Sequence, residues 1–309
     1  GTGMKMTLGT LLEEGKEKLE KAGVPDPLLD ARFLLLDVFD MNFASFLVKR
    51  DRPLTETENG TNVTEADTDT WKKIDKYWEL ISKREMRIPL QQLTGVQEFM
   101  GLEFYVNEHV LIPRQDTETL VELILNEHKE KNISLLDVCT GSGCILLSIL
   151  KNLKQGTGVG IDISEQALEV ARRNAKRLGL EAATTFVLSD LFEKEQGPYD
   201  MIVSNPPYIE TEEIAQLMPE VRDHEPRLAL DGMSDGLYYY RSIVSQCRDY
   251  LKEDGALLFE IGAGQGAAVS ELLKEAGFVS VQVIKDLAGL DRVVAGKAGT
   301  KKGKQEKDV

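Results

Sequence analysis

Where the apolar run Tyr199–Val203 gives out, the chain reads Ser204, Asn205, Pro206, Pro207, Tyr208. Consecutive prolines have no N–H to give a sheet, so Pro206 and Pro207 end any strand there and leave a stiff loop at its mouth. An amide, two rigid rings and an aromatic in that place suit one task, the holding of a planar NH2 group. Such a nitrogen is a poor nucleophile because its lone pair is delocalised into the adjoining carbonyl. Two acceptors, Asn205 Oδ1 and the Pro206 carbonyl, aimed at its hydrogens would fix it with the lone pair facing an incoming methyl group, with Tyr208 stacked on the plane. Alignment of this kind contributes about 7–11 kcal/mol in favourable cases. No strong base is required, because an alkylated amide nitrogen loses its proton readily. A plain rigid turn would leave Asn205 and Tyr208 without a role.

A second constellation lies upstream. A strand-like run ends in Cys139, Thr140, Gly141, Ser142 and Gly143. In an open α/β sheet, ligands bind beyond the carboxyl ends of the strands. Gly141 and Gly143 remove side chains where the backbone must turn tightly and approach a ligand. A dinucleotide fingerprint needs a third glycine where Leu146 stands, so a nicotinamide dinucleotide is disfavoured. Asp162 ends the next strand, roughly twenty residues on, where a carboxylate accepts ribose hydroxyls. Asp190, followed by Leu191, ends a third strand and is placed to accept from an adenine amino group. Taken singly, each acid is more often a helix cap or a solvated loop residue. Together with the glycines they outline a nucleoside pocket without a phosphate anchor, which fits S-adenosylmethionine.

The elements that position these residues follow from periodicity. Residues 1–88 read as helices, the first capped by Thr7 and closed by Gly23, with Leu8, Leu11, Leu12, Gly15 and Leu19 on one face. A second begins after Pro27. The polar stretch 55–69 reads as a loop before a further helix. Residues 89–112 form a linker in which the period changes to two, a β-hairpin turning at Met100-Gly101. Asp116 or Thr117 then caps a helix. Strands and helices alternate through 113–297, with seven strands, which predicts a doubly wound α/β sheet covered on both faces. Residues 298–309 read as a disordered lysine-rich tail.

Bulk properties exclude several classes. A chain of 309 residues with 42% hydrophobic content is neither disordered nor fibrous. A net charge of -15 argues against a long nucleic-acid footprint, which relies on Lys and Arg. Three cysteines, Cys139, Cys144 and Cys247, are too few for a disulfide framework and lack the companions of a zinc site. No run is long enough to span a membrane and no signal-peptide pattern is present, so the expected location is the cytoplasm and the Asn59 and Asn62 acceptor sequences carry no meaning. Gly1-Thr2-Gly3, ahead of Met4, reads as an addition to the natural chain.

The Asn-Pro-Pro-Tyr tetrapeptide after a fourth strand is shared by amino-methyltransferases acting on adenine in DNA, guanine in ribosomal RNA and glutamine in proteins. The blocks "PLQQLTGVQEFMGLEFYVNEHVLIPRQDTETLVE", "DVCTGSGCILLSI", "GIDISEQALEVARRNA", "YDMIVSNPPYI", "HEPRLALDGMSDGLYYYR", "LFEIGAGQG" and "KDLAGLDRVV" occur in that order. In this sequence of blocks the chain resembles the release-factor glutamine N5-methyltransferases, the HemK/PrmC family, from about Pro89 to Gly296. The resemblance implies the class I S-adenosylmethionine-dependent methyltransferase fold. It also implies methylation of the glutamine in the Gly-Gly-Gln loop of class I peptide-chain release factors, with S-adenosyl-L-homocysteine as product and no metal. Carried over by motif, Cys139 to Gly143, Asp162, Asp190, Leu191 and Asn205 would hold the methyl donor, and Asn205, Pro206, Pro207 and Tyr208 the substrate glutamine. The family usually has glycine where this chain has Cys139, whose side chain would crowd the methionine part of the donor modestly. Arg114 and Glu118 would border the site or form an ion pair, Phe99 would pack on the substrate, and His224 and Glu225 would supply an outer wall.

Two other readings are open at this point. The same tetrapeptide chemistry works on a base extruded from DNA or RNA, though no basic recognition module is visible and no direct nucleic-acid substrate is expected. A binding module that has lost catalysis would show degenerate glycines or a broken tetrapeptide, and neither is seen. The helical region and hairpin are expected to form one wall of a cleft for the protein partner, and the chain is expected to act as a monomer.

Overall fold

The computed structural model describes residues 6–54, 65–194 and 197–300. Gly1–Gly3, the acceptor sequences at Asn59 and Asn62, and positions 301–309 of the tail lie outside the described residues. The chain forms two compact units: one runs to Gly95 and also takes in Pro219–His224, and the other comprises Val96–Met218 and the chain from Glu225 onward. The boundary expected after residue 88 therefore falls at Gly95, and a segment from late in the sequence returns to the first unit.

The first unit is helical, with α1 (Leu8–Lys21), α2 (Pro27–Phe39), α3 (Phe43–Lys49), α4 (Glu65–Glu85) and α5 (Leu90–Thr94). α4 starts within the stretch expected to be loop. Thr7 caps α1 by accepting from Thr10 N at 3.1 Å, and Thr10 Oγ1 accepts from Thr7 N at 2.9 Å, a reciprocal cap. The apolar face of α1 is buried, and Gly15 lies on it because any Cβ there would collide with the Tyr77 hydroxyl of α4. That hydroxyl donates to the Leu11 carbonyl at 2.9 Å, so the contact is both close and satisfied.

A buried charge network joins α2, α4 and the short helix α9 (Pro219–His224) within this unit. Arg84 Nε donates to Asp30 Oδ2 and its Nη2 to Glu220 Oε2, both at 2.8 Å. Arg87 makes a two-point contact with Glu220, also at 2.8 Å. Burial pushes the Asp30 carboxyl up despite Arg84. Burial acts on Glu220 too, but the Arg87 and Arg84 hydrogen bonds outweigh it and hold that carboxyl below its ordinary value.

The second unit begins with a hairpin, β1 (Val96–Phe99) and β2 (Leu102–Tyr105), turning through Met100 (φ 53°) and Gly101 (φ 72°). Two successive positive φ values match the twist of a two-residue hairpin turn. Pairing stops at Tyr105, well before Pro113. The sheet contains β3 (Asn132–Val138), β4 (Gln155–Asp162), β5 (Thr184–Leu188), β6 (Tyr199–Ser204), β7 (Leu251–Glu260), β8 (Val279–Lys285) and β9 (Asp291–Lys297), in the order β5-β4-β3-β6-β7-β9-β8. The first five strands of that order are parallel, and β9 runs antiparallel to both neighbours. The sheet is therefore mixed at one edge. The few residues between β8 and β9 cannot make the crossover of a dozen or more that a parallel pair needs.

Helices α6 (Glu118–His128), α7 (Cys144–Asn152), α8 (Glu165–Arg177), α10 (Tyr238–Gln246) and α11 (Gly266–Glu275) cover the sheet. Alternation along the strands separates two cores: Leu135, Met201 and Val203 enter one with Leu120, Ile124 and Leu168, while Leu136 and Ile202 enter the other with Tyr240, Phe259 and Leu273. Phe99, expected at the substrate, is only 2% exposed and packs edge-on against Phe104 in the first core. Its place on the inward face of the hairpin decides this.

Removing Arg84 leaves Asp30 buried without its cation, and loss of one partner from a buried pair costs about 3–5 kcal/mol. Arg84→Met is expected at the lower end of that range, about 3 kcal/mol in urea unfolding, because Arg87 still holds Glu220.

Candidate active site

The strand order reverses between β3 and β6, which opens a crevice at the carboxyl edge of the sheet. Val138 pairs with Ile161 on one side and Ser204 on the other, and Ser204 pairs with Phe259. One residue beyond this row stand Asp162, Cys139, Asn205 and Glu260, on adjacent chains about 4.8 Å apart. Residues far apart in sequence thus end side by side. A cavity lies over this edge, with about 1020 Å³ of empty space including its open mouth.

The turn after β3 forms one part of the lining through Cys139, Thr140, Gly141 and Ser142. Gly141 has φ 54°, and a Cβ there would meet nothing within 4 Å, so backbone conformation rather than space calls for glycine. Gly143 does not line the cavity. A Cβ on it would come 3.1 Å from Leu147 and 3.3 Å from Ala171, so it serves the packing of α7 on α8. Cys139 has φ 63°, the left-handed region that non-glycine residues enter only in a few per cent of cases. Its side chain lies in the lining, and burial pushes its thiol far up, with the Asp162 and Asp137 charges adding to the shift.

Asp162 accepts from Gly141 N at 2.9 Å through Oδ2 and from Ser164 N at 3.0 Å through Oδ1. Burial raises its carboxyl and these backbone donors oppose the rise. An ionised carboxylate has about four acceptor positions, and with the Ile163 backbone also acting on it the group keeps one for a ligand. Ser164 is the cap of α8, accepting from Ala167 N at 3.2 Å, which frees Asp162 from that duty. Asp190 is exposed at the rim. Leu191 (φ 53°) is turned into the lining, and Ser189 Oγ donates to its carbonyl at 2.7 Å.

Asn205 follows Ser204, whose hydroxyl donates to the Val138 carbonyl at 2.6 Å and pins β6 to β3 at the cavity. Asn205 and Pro207 line the cavity, while Pro206 and Tyr208 are absent from its lining. Tyr208 is half-buried: its carbonyl accepts from Gln265 Nε2 at 3.0 Å and its hydroxyl is 3.5 Å from Glu260 Oε2. Arg114 lines the cavity and pairs two-point with Glu225, Nη2 to Oε1 at 2.6 Å and Nη1 to Oε2 at 3.0 Å, while Ile112 N donates to the same carboxylate at 2.9 Å. Glu118 and His224 are not in the lining. His224 Nε2 lies 3.2 Å from the Met86 carbonyl, a place in the helical unit. Thr117, offered as a helix cap, makes no capping bond and donates its hydroxyl to Glu260 instead.

Two polar residues were not singled out from the sequence. Asp137, 1% exposed, accepts from Thr140 Oγ1 at 2.8 Å. Burial pushes its carboxyl up to about 7, the Thr140 bond opposes this and the Asp162 charge adds to it. An acid inside an apolar strand was the signal. Asn174, fully buried, accepts from Tyr105 N at 2.7 Å and donates to the carbonyls of Tyr105 at 3.0 Å and Ser142 at 2.9 Å. It ties the hairpin to the glycine turn.

Residues 115–224 match the Methyltransferase small domain family, and residues 10–95 match the PrmC N-terminal domain. The release factor glutamine methyltransferase of Agrobacterium fabrum is 39% identical over 293 residues, covering 93% of this chain and 96% of that protein. The protein of the same name from Clostridium acetobutylicum is 41% identical over 254 residues, 81% of this chain and 87% of its own. The chain belongs to the release factor glutamine methyltransferase family. Among solved structures, the hMettl16 catalytic domain in complex with MAT2A 3'UTR hairpin 6 superposes with a TM-score of 0.55 at 15% identity, covering 72% of this chain and 83% of that one, a likeness of fold alone. Membership of the family makes this chain a methyltransferase.

Asn174→Ala would strand one buried backbone group, the Ser142 carbonyl, and two part-buried ones on Tyr105, where a buried group left unpaired costs about 1–3 kcal/mol. A loss of at least about 2 kcal/mol in urea unfolding is expected.

Proposed function

We propose that this chain transfers a methyl group from S-adenosylmethionine to the side-chain amide nitrogen, N5, of the glutamine in the Gly-Gly-Gln loop of class I peptide-chain release factors, acting as a cytoplasmic monomer. Family membership supports the substrate class. The observation that carries the chemistry is the register that sets Asn205 beside Cys139 and Asp162 at the mouth of one cavity.

The lining suits the donor. Asp162 keeps an acceptor position for a ribose hydroxyl, and Asp190 at the rim accepts from the adenine amino group while Leu191 offers an apolar surface to the ring. The backbone of Cys139 to Gly143 takes the methionine end. Asp137, Asp162 and Asp190 favour a cationic ligand over an anionic one. Bound there, S-adenosylmethionine supplies a methyl carbon made electrophilic by its positive sulfur, so the proposal assigns no metal.

Asn205 Oδ1 and the Pro206 carbonyl accept the two amide hydrogens of the glutamine and turn its lone pair toward the donor side. The adjacent prolines lower the entropy cost of keeping both acceptors in place. Tyr208 borders this position from behind and flanks the amide plane. When nitrogen gains its methyl group it carries one proton too many and releases it to water. Arg114, held by Glu225, lines the same cavity on the side of the segment that follows the hairpin. No helix among the described residues is long and apolar enough to cross a membrane.

The test is mass spectrometry of a class I release factor incubated with this protein and S-adenosylmethionine, with an oligonucleotide in parallel. One added methyl on the Gly-Gly-Gln glutamine and none on the oligonucleotide is expected. Asn205→Ala should slow transfer about 100-fold or more, the scale of a misaligned reacting pair. Asp162→Ala should weaken S-adenosylhomocysteine binding at least about tenfold, since a hydrogen bond to a charged acceptor contributes about 1.5–3 kcal/mol. Methyl on the oligonucleotide alone would overturn the substrate.

A further inference from the structure

Glu260 stands at the carboxyl end of β7, in the row that holds Asn205, and is 2% exposed. It does not line the cavity. A buried carboxylate is costly unless it is paired with a cation, and among the described residues no Lys or Arg nitrogen comes within 4 Å of this one. Its partners are hydroxyls. Thr117, which lines the cavity, donates to Oε1, and the Tyr208 hydroxyl lies 3.5 Å from Oε2. Behind it, Tyr240 Oη donates to the Glu260 carbonyl at 2.8 Å and fixes the strand end.

The turn that follows completes the arrangement. Gln265 Oε1 accepts from Gly262 N at 2.9 Å, and its Nε2 donates to the Tyr208 carbonyl at 3.0 Å. A Cβ on Gly262 would lie 3.3 Å from the Tyr208 ring, so the segment from Glu260 to Gln265 closes on Tyr208 at hydroxyl, ring and carbonyl alike. We propose that Glu260 is the positioning residue of the acceptor loop, its ionised carboxylate drawing in the Tyr208 and Thr117 hydroxyls so that Asn205 and Pro206 keep the geometry for methyl transfer, and its protonated form weakening that hold on Tyr208. The proposal rests on the methyltransferase reading given above.

The charge of Glu260 then governs the rate. Burial pushes its carboxyl up to about 7, opposed by the Thr117 bond and the Arg292 charge, raised further by Asp116 and lowered by Arg114. Those groups face it from the segment before α6 and from β9; Tyr208 and Tyr240 face it from the loop after β6 and from α10, and Cys144 from the start of α7. Arg292 is itself engaged by Asp286 at 3.2 Å and Asp116 at 3.6 Å, so it moderates the site from a distance. An ionised Glu260 is acceptor-only and attracts both hydroxyls, Thr117 through a hydrogen bond and Tyr208 across 3.5 Å, whereas protonation removes the charge that strengthens both contacts. Activity is therefore present above the carboxyl's raised value and lost as pH falls through it.

The deciding experiment measures kcat, KM for the release factor and the Kd for S-adenosylhomocysteine from pH 6 to 9, for wild type, Glu260→Gln and Tyr208→Phe. Wild-type kcat should fall about tenfold per unit below neutrality. Glu260→Gln should lose that acid limb and about tenfold in kcat at pH 8, with Kd within twofold and a Tm at pH 8 no lower than wild type, because it removes a buried charge. Tyr208→Phe cuts the same link from the loop side and should also flatten the limb, which keeps the test alive if the glutamine variant fails to fold. An unchanged acid limb in either variant would overturn the proposal, as would a Kd that worsens in step with kcat. If wild type does not methylate the release factor, the function fails separately. The link is then still decided by a carbon-13 tyrosine NMR titration, in which the Tyr208 signal should shift with a midpoint near neutrality in wild type and show no such shift in Glu260→Gln.

Discussion

Everything in the catalytic unit depends on the register of four parallel strands. Parallel pairing fixes neighbouring backbones about 4.8 Å apart, and a slip of one residue would exchange the faces of every side chain on the strand. The pairing of β3 with β6 is secured at both ends. At the amino end Asp200 Oδ2 accepts from Ser134 N at 2.7 Å, and Ser134 Oγ accepts from Asp200 N at 3.1 Å. At the carboxyl end the Ser204 hydroxyl holds the Val138 carbonyl. With both ends locked, Cys139 and Asn205 must emerge together, and the cavity inherits its geometry from the sheet.

That precision has an energetic counterpart in buried acids. Asp137, Asp162 and Glu260 all lie at the ligand end of the sheet, and burial raises the carboxyl of each. Among the described residues none is neutralised by a direct ion pair; backbone amides or hydroxyls hold them instead. An apolar residue at any of these positions would be easier to bury. The arrangement makes sense where the ligand is cationic and the loop must be held by acceptors. The helical unit solves its own problem differently, with Arg84 and Arg87 arranged around Asp30 and Glu220 in bonds of ordinary length.

Much of this was legible in the sequence, and the failures share a cause. The change to period two marks the hairpin, the alternation of apolar strands with helices marks the seven strands, and Gly141, Asp162 and Asn205 stand out because residue type and strand end coincide. The antiparallel edge was readable in principle from the short β8–β9 connection. Thr117 was misread because its hydroxyl partner, Glu260, lies 143 residues away. Helix α9 was invisible for the same reason, since Glu220 finds Arg84 across 136 residues. Phe99, which the resemblance places at the substrate, is buried instead, because alternation shows that one face of a hairpin is covered but not which. Local patterns report what the backbone does next; they are silent on the partner that gives a polar side chain its role.

The sequence blocks that mark the family acquire a physical meaning here. The Asn-Pro-Pro-Tyr loop brings Asn205 and Pro207 into the lining of the cavity. Three other sequence blocks meet around this loop. "IPRQDTE" supplies Arg114 and Thr117, "HEPRLAL" supplies Glu225, and "LFEIGAGQG" supplies Glu260 and Gln265. These residues bond to one another and to Tyr208: Arg114 to Glu225, Thr117 to Glu260, Gln265 to the Tyr208 carbonyl. Three segments distant in sequence thus interlock around one loop. The glycine-turn side of the cavity is built from a backbone turn and strand-end acids, whereas the segments around Tyr208 are joined by side-chain pairs.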